Sequence, residues 1–134
     1  MKSLLLLLGL LASGTALAES SALTGVWQIA EIFYDEESIE IQTPTQTKIF
    51  TSSHMIYTYY GSDQVSGDLS LGVGHGTYQL VGDTLTETIS NHSNTDMIGK
   101  TFQVNVTVSE DGNSFSQVVD LGKYVLREVW VRAE

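Results

Sequence analysis

After residue 23 the chain alternates apolar and polar residues with a period of two. Alternation of this kind is typical of half-buried β-strands, whereas an amphipathic helix repeats about every 3.6 residues. It is plainest at 100–109, where polar residues separate Phe102, Val104, Val106 and Val108. The pattern predicts strands at 25–33, 46–52, 54–60, 74–81, 83–91, 100–109, 113–121 and 123–132. No segment of ten or more residues has the pattern of an amphipathic helix.

The predicted connections favour a simple up-and-down order of strands. Gly82-Asp83, Asp111-Gly112-Asn113 and Gly122-Lys123 supply residues that tolerate positive φ, as tight hairpin turns require. Only the connections at 34–45 and 61–73 exceed hairpin length. An antiparallel sheet hides its edges by closing, and eight strands enclose either packed side chains or one small ligand. We predict an all-β fold, a single eight-stranded up-and-down antiparallel β-barrel, with a two-sheet sandwich as the alternative.

The first 18 residues have a different composition from the rest of the chain. Lys2 precedes a leucine-rich run at 4–12, and Ala16-Leu17-Ala18 has the small-x-small form of a signal-peptidase site. The apolar run is too short to span a bilayer. We expect residues 1–18 to be a signal peptide, residues 19–134 to be the mature domain, and the protein to be periplasmic or secreted. An anchored N-terminal helix is the alternative.

Composition and charge narrow the classes of partner. The 134 residues include 16 acidic and 6 basic side chains, with a formal net charge of −10 and no cysteine. Nucleic-acid binding requires clustered lysine and arginine, so the acidity argues against nucleic acid as a partner. Without cysteine the chain forms no disulfide and cannot carry a lipid on an N-terminal cysteine. A chain of this length can bury a core without disulfides or a bound metal.

Short motifs at the two ends of the domain carry a family resemblance. Gly25-Val26-Trp27 opens the first predicted strand and Trp130-Val131-Arg132 closes the last. Between them lie, in order, Gly74-His75-Gly76-Thr77-Tyr78, Gly82-Asp83-Thr84-Leu85-Thr86-Glu87 and Ile98-Gly99-Lys100. This series resembles the lipocalin-like barrels of the calycin superfamily, in particular small bacterial secreted domains, many of which have no assigned function.

The resemblance implies a barrel floor and leaves the ligand open. In such barrels the Gly-x-Trp indole lies across the floor and a basic side chain from the end of the chain packs over it. It implies that Gly25, Trp27, Trp130 and Arg132 form the floor here, with Arg127 as the alternative cation. Calycin barrels include binding, transport and inhibitor proteins and some isomerases, so the fold alone does not identify a substrate.

Alternation also places four polar residues on apolar faces: Glu31, Glu87, Gln117 and Glu128. A buried carboxylate costs several kcal/mol unless it is paired or hydrogen-bonded. Pairing of Arg132 with Glu128, or a hydrogen bond from Tyr78 to Glu87, would satisfy them structurally, and Glu31 could instead lie at the rim in water. The functional interpretation is a pocket in which a few polar groups orient a ligand.

We therefore expect a small hydrophobic or amphipathic molecule to bind inside the barrel. The predicted ligand-binding residues are His54, Tyr57, Tyr59, Tyr78, Glu87 and Glu128. Tyr57, Tyr59 and Tyr60 precede the loop at 61–73 and form either a gate to the cavity or an ordinary aromatic strand.

Two other classes of function remain open at this point. One is an enzyme that isomerises, cyclises or hydrolyses its guest through Glu87, Tyr78 or His54, although no serine lies in a Gly-x-Ser-x-Gly setting. The other is a filled barrel whose acidic loops bind a basic protein partner, such as an enzyme that it inhibits. We expect no cofactor. We also expect no metal, because the spacing offers no third ligand to join His54 and His75.

Overall fold

A computed structural model of the protein describes residues 21–41, 46–62 and 66–134. These residues form nine strands and one 3-10 turn: β1 Gly25–Tyr34, β2 Glu37–Ile39, β3 Thr47–Phe50, β4 His54–Ser62, β5 Leu69–Val81, β6 Thr84–His92, η1 Thr95–Met97, β7 Thr101–Val108, β8 Ser114–Asp120 and β9 Val125–Arg132. Within this part of the chain, no helix has the length and apolarity needed to cross a bilayer. The predicted signal peptide at 1–18 lies outside the described residues.

All nine strands belong to one antiparallel sheet, in the order β2-β1-β3-β4-β5-β6-β7-β8-β9. β1 also pairs with β9, from Trp27 opposite Arg132 to Tyr34 opposite Leu126, and this ladder closes the ring. Two strands share the other edge of β1. β3 pairs with residues 25–28 of β1, and β2 pairs with residues 32–34. The predicted eight-stranded antiparallel barrel is therefore confirmed, and β2 is added to it.

The hairpin between β1 and β2 lies inside the stretch that was predicted to be the loop 34–45. Its two turn residues, Asp35 and Glu36, have φ of 46° and 66°. Left-handed pairs of this kind usually contain glycine or asparagine, which explains why the sequence did not suggest a hairpin. Asp35 is fixed from both sides, since its N–H donates to the carbonyl of Val125 and its Oδ1 accepts the N–H of Val125, at 2.9 and 2.8 Å.

A β-bulge in β1 overturns the predicted inward position of Glu31. The register between β1 and β9 shifts between Ile29 and Glu31, which inserts one extra residue into β1. One added residue reverses the alternation of a strand from that point onward. Ile32 is therefore buried, whereas Glu31 is exposed on the outside of the barrel.

One end of the barrel is filled by an aromatic cluster. Trp27 is completely buried and meets Phe115 edge to face, with ring centres 4.8 Å apart. Phe50 meets Tyr78 in the same way at 4.9 Å. Edge-to-face contacts add to the stabilisation that comes from burying apolar area. This end is solid, so any space for a ligand lies in the other half.

Candidate functional site

Three of the predicted floor residues lie together at the solid end. The Arg132 guanidinium carbon lies 4.1 Å from the centre of the Trp27 ring, and its nitrogens donate to the carbonyls of Thr24 and Gly112 at 2.7 and 3.0 Å. The Trp27 indole N–H donates to the Leu23 carbonyl at 2.7 Å. At Gly25 a Cβ atom would lie 2.3 Å from an Arg132 nitrogen, so a side chain there would displace the cation.

The other two residues that were considered for the floor lie elsewhere. Trp130 is buried one layer further along the barrel and forms part of the cavity wall described next. Arg127 lies near the opposite end, where its guanidinium stacks 3.9 Å over Phe33 and pairs with Glu36 at 3.0 Å. The cation over the Trp27 indole is therefore Arg132.

A cavity of about 440 Å³ occupies the other half of the barrel. Its volume is in the range of pockets that hold one small organic molecule. The partly exposed Tyr34 and Phe102 border it, which places its opening at the end away from Trp27. The apolar and aromatic part of the wall consists of Tyr34, Tyr57, Tyr59, Tyr60, Met97, Phe102, Val104, Val119, Leu126 and Trp130.

Lys48 projects into this cavity, and sequence reasoning missed it. Its side chain is only 9% exposed, its Nζ donates to Gln117 Oε1 at 3.0 Å, and it lies 3.7 Å from Glu87 Oε1. The ammonium also lies 5.1 Å from the Trp130 ring centre. Alternation offered a signal, because Phe50 shares the inner face of β3 with Lys48 while Ile49 points outward and is 38% exposed.

Two carboxylates join Lys48 in the cavity wall. Glu87 is buried, and its Oε1 accepts no hydrogen bond from the described residues. Glu128 is half-buried and its Oε2 accepts the Trp130 indole N–H at 3.2 Å. The partners predicted for them were wrong, because Arg132 donates to backbone carbonyls and the Tyr78 hydroxyl donates to the Thr51 carbonyl.

Glycines on β5 position the tyrosines of β4. Tyr57 and Tyr59 lie directly opposite Gly74 and Gly72, and a Cβ at either glycine would fall 2.5 Å or less from a carbon of the tyrosine ring. The rings therefore lie across the bare backbone of β5. They stack on each other with centres 6.2 Å apart, and the buried His92 lies 5.9 Å from both.

The position of Tyr57 makes its hydroxyl hard to ionise. Burial raises the pKa of Tyr57 to about 12, and electrostatic repulsion from Glu87 and, to a smaller extent, from Tyr59 adds to the effect. Loss of the proton would place a second negative charge beside that of Glu87 in a partly buried wall. Tyr57 therefore stays a neutral hydrogen-bonding group at physiological pH.

This shift predicts a loss of stability at alkaline pH. In the unfolded chain Tyr57 has its ordinary pKa near 10, so the stability that comes from its neutral folded form is complete below pH 10 and is lost as the pH rises toward 12. We expect Tyr57→Phe to lose less stability than the wild type over this interval, as measured by urea unfolding at pH 9 and 11.5. Tyr60→Phe is the control. If both variants lost equally less stability than the wild type, the raised pKa would not belong to Tyr57.

Two residues of the predicted ligand set lie away from the cavity. Tyr78 is buried in the solid end, with its hydroxyl 2.8 Å from Ser21 Oγ. His54 is exposed at the start of β4 and its Nδ1 lies 2.9 Å from Ser53 Oγ. The cavity therefore brings together Tyr57, Tyr59, Glu87 and Glu128 from the prediction and adds Lys48. No three histidine or acidic side chains of the described residues form a metal-holding group.

Comparison with known proteins supports the fold. A family model described as "Domain of unknown function (DUF4488)" matches residues 22–134. The structure is similar to that of a lipocalin-like protein from Bacteroides uniformis ATCC 8492, with a TM-score of 0.56, 16% identity, and coverage of 84% of this chain and 99% of that one. It is also similar to an uncharacterized protein from Bacteroides eggerthii DSM 20697, with a TM-score of 0.53, 14% identity, and coverage of 82% and 98%. Among curated proteins, none matches the chain.

Proposed function

The chain belongs to the DUF4488 family, and we propose that its lipocalin-like barrel binds one small, mainly apolar molecule. The observation that carries this proposal is the cavity of about 440 Å³ above the solid floor of Trp27 and Arg132. Barrels of eight strands either fill their interior or hold one small ligand, and pockets for such ligands are mostly apolar with a few placed polar groups. This cavity has that composition.

The walls suggest how the molecule would lie. Tyr57, Tyr59 and Trp130 offer flat surfaces that contribute contact area with little loss of side-chain freedom. Met97, from the 3-10 turn, adds an adaptable thioether side chain. The polar groups Lys48, Glu87 and Gln117 occupy one region of the wall, so the polar end of the ligand would be directed there.

The proposed site of action is the periplasm or the exterior of the cell. This part of the proposal depends on the basic residue Lys2, the leucine-rich run at 4–12 and the Ala16-Leu17-Ala18 site. Cleavage after Ala18 would leave Glu19 as the first residue, which N-terminal sequencing of the exported protein checks. An uncleaved N-terminus would overturn it.

Binding can be tested with the neutral apolar dye N-phenyl-1-naphthylamine. We expect its fluorescence to rise on saturable binding of one molecule per chain. The chain has two tryptophans, so its amide NMR spectrum contains two indole N–H signals. The dye should shift the signal of Trp130, in the cavity wall, and leave that of the floor residue Trp27 nearly unchanged.

A matched pair of variants locates the bound dye. Val119→Trp adds an indole inside the cavity, and Val81→Trp makes the same change at a side chain that is 74% exposed. We expect the first to weaken dye binding about tenfold or more, because it fills space that the dye needs, and the second to leave it unchanged. Equal affinities in the two variants, or equal shifts of both indole signals, would contradict binding in the cavity.

A further inference from the structure

The charges in the cavity wall are unequal. Among the described residues that line it, three are charged: Lys48, Glu87 and Glu128. One cation faces two carboxylates, in a chain whose formal net charge is already −10. The wall therefore has an excess of negative charge at neutral pH, and its potential favours a cation over an anion.

Lys48 is a poor anchor for an anionic ligand. Its Nζ donates to Gln117, lies 3.7 Å from Glu87 and stands over the Trp130 ring. A carboxylate that approached Lys48 would also approach Glu87, and Glu128 lies in the same wall, bonded to the Trp130 indole. Like charges brought together in a partly desolvated site repel strongly, so the wall discriminates against anions.

Glu87 lacks a hydrogen-bond donor that the protein could supply. The 3.7 Å from its Oε1 to Lys48 Nζ is too long for a hydrogen bond, and no other donor of the described residues reaches this atom. The residue is only 8% exposed. Buried acceptors are rarely left without a donor, because an unsatisfied group loses its bonds to water without replacement. A donor placed in the cavity beside Glu87 would compensate for this loss.

We propose that the ligand of this cavity carries a protonated amine, held by Glu87 and Glu128. This inference rests on the proposed function and specifies the polar end of the ligand. An ammonium group donates up to three hydrogen bonds, which the carboxylates of Glu87 and Glu128 can accept, and it neutralises the excess charge of the wall. The rings of Tyr57 and Trp130 offer faces that attract a cation.

Three eight-carbon compounds that differ in the polar end test the proposal: octylamine, 1-octanol and octanoate. Alkyl amines are protonated at pH 7, as lysine is, and octanoate is ionised. Each compound is titrated into the exported protein carrying N-phenyl-1-naphthylamine, and displacement of the dye gives its affinity. We expect octylamine to bind about tenfold or more tightly than 1-octanol, and octanoate to bind most weakly.

Glu128→Gln tests whether the preference for octylamine depends on the charge in the cavity wall or on the net charge of the protein. Glutamine keeps an oxygen that accepts the Trp130 indole N–H but removes the negative charge. We expect the tenfold preference for octylamine to shrink toward unity while 1-octanol binding stays the same. The control is Glu31→Gln, which removes the same charge from the outside of the barrel and should keep the preference. The ranking in the wild type needs no variant and tests the proposal by itself.

The outcomes distinguish the amine assignment from the proposed binding function on which it rests. If the dye binds in the cavity but octanoate binds as tightly as octylamine, or none of the three compounds displaces the dye, the amine assignment is wrong and the binding function stands. Equal effects of Glu128→Gln and Glu31→Gln would also overturn it. If the dye itself does not bind, the proposed function falls and the amine assignment falls with it.

Discussion

Replacement of Trp27 by alanine is expected to lower the free energy of unfolding by about 3–5 kcal/mol, the usual cost of truncating a fully buried tryptophan. Trp27 has no exposed surface, packs against Phe115 and lies beneath the Arg132 guanidinium. Its removal would leave an empty volume at the floor and take away the ring on which the cation stacks. Because small domains are stable by only about 5–15 kcal/mol, this variant would lose much of its margin.

Urea unfolding followed by circular dichroism measures this loss without relying on tryptophan fluorescence. Tyr124→Ala is the control, because it truncates an aromatic side chain that is 39% exposed and should cost about 1 kcal/mol or less. Similar losses in the two variants would show that the floor does not contribute more to stability than the rim.

The second large effect is expected for Lys48→Met, which should destabilise the protein by about 3 kcal/mol. Removing one partner of a buried ion pair leaves the other charge without compensation, which typically costs about 3–5 kcal/mol. The lower end of this range applies because Glu87 borders a cavity that water can enter. Glu87 would lose the cation 3.7 Å from its Oε1 and keep its desolvation penalty.

The double variant Lys48→Met/Glu87→Leu gives this prediction its control. Replacing both partners by apolar residues removes the uncompensated charge, so we expect the double variant to be more stable than Lys48→Met alone. Urea unfolding of the wild type, both single variants and the double variant yields the coupling energy of the pair. A double variant as unstable as the sum of the two singles would contradict a buried, coupled ion pair.

The sequence predicted most of the barrel because strand periodicity and turn chemistry agree. The predicted turns contain Gly82, Gly112 and Gly122, and all three have positive φ between 61° and 82°. Each of the eight predicted strands overlaps a strand of the closed ring. A half-buried strand needs its alternation and a tight turn needs its glycine, so local residues were enough to define both.

The errors arose where the backbone departs from regular alternation. The bulge after Ile29 turns Glu31 outward, and no residue type marks a bulge at this place. β5 begins at Leu69, inside the predicted loop 61–73. The Tyr59 ring occupies the space of a side chain at Gly72, so this strand residue adds nothing to the apolar alternation. A glycine whose space is filled by a neighbouring strand is indistinguishable in the sequence from a glycine in a loop.

The candidate site was only partly predictable because it depends on contacts between distant strands. Glu87 was recognised as inward, but its partner Lys48 lies 39 positions earlier in the chain. A lysine beside an isoleucine is normally the outward residue of the two, and here Ile49 is outward instead. Tyr78 and His54 were also assigned to the ligand, because alternation along a strand does not show at which end of a barrel a residue lies.

The pairing of β1 with β9 has a consequence for how the chain reaches its native state. The ladder between β1 and β3 spans the short strand β2, and the remaining ladders of the ring join strands that are neighbours in the sequence, whereas the ladder between β1 and β9 pairs residues about a hundred positions apart. Contacts between distant residues form slowly, since closing a long loop costs entropy before the contacts can compensate. Arg132 belongs to the same ladder, so the floor over Trp27 cannot assemble before β9 has been synthesised. Until then both edges of the sheet are open to pairing with other chains, so the chain is most prone to aggregation during that interval.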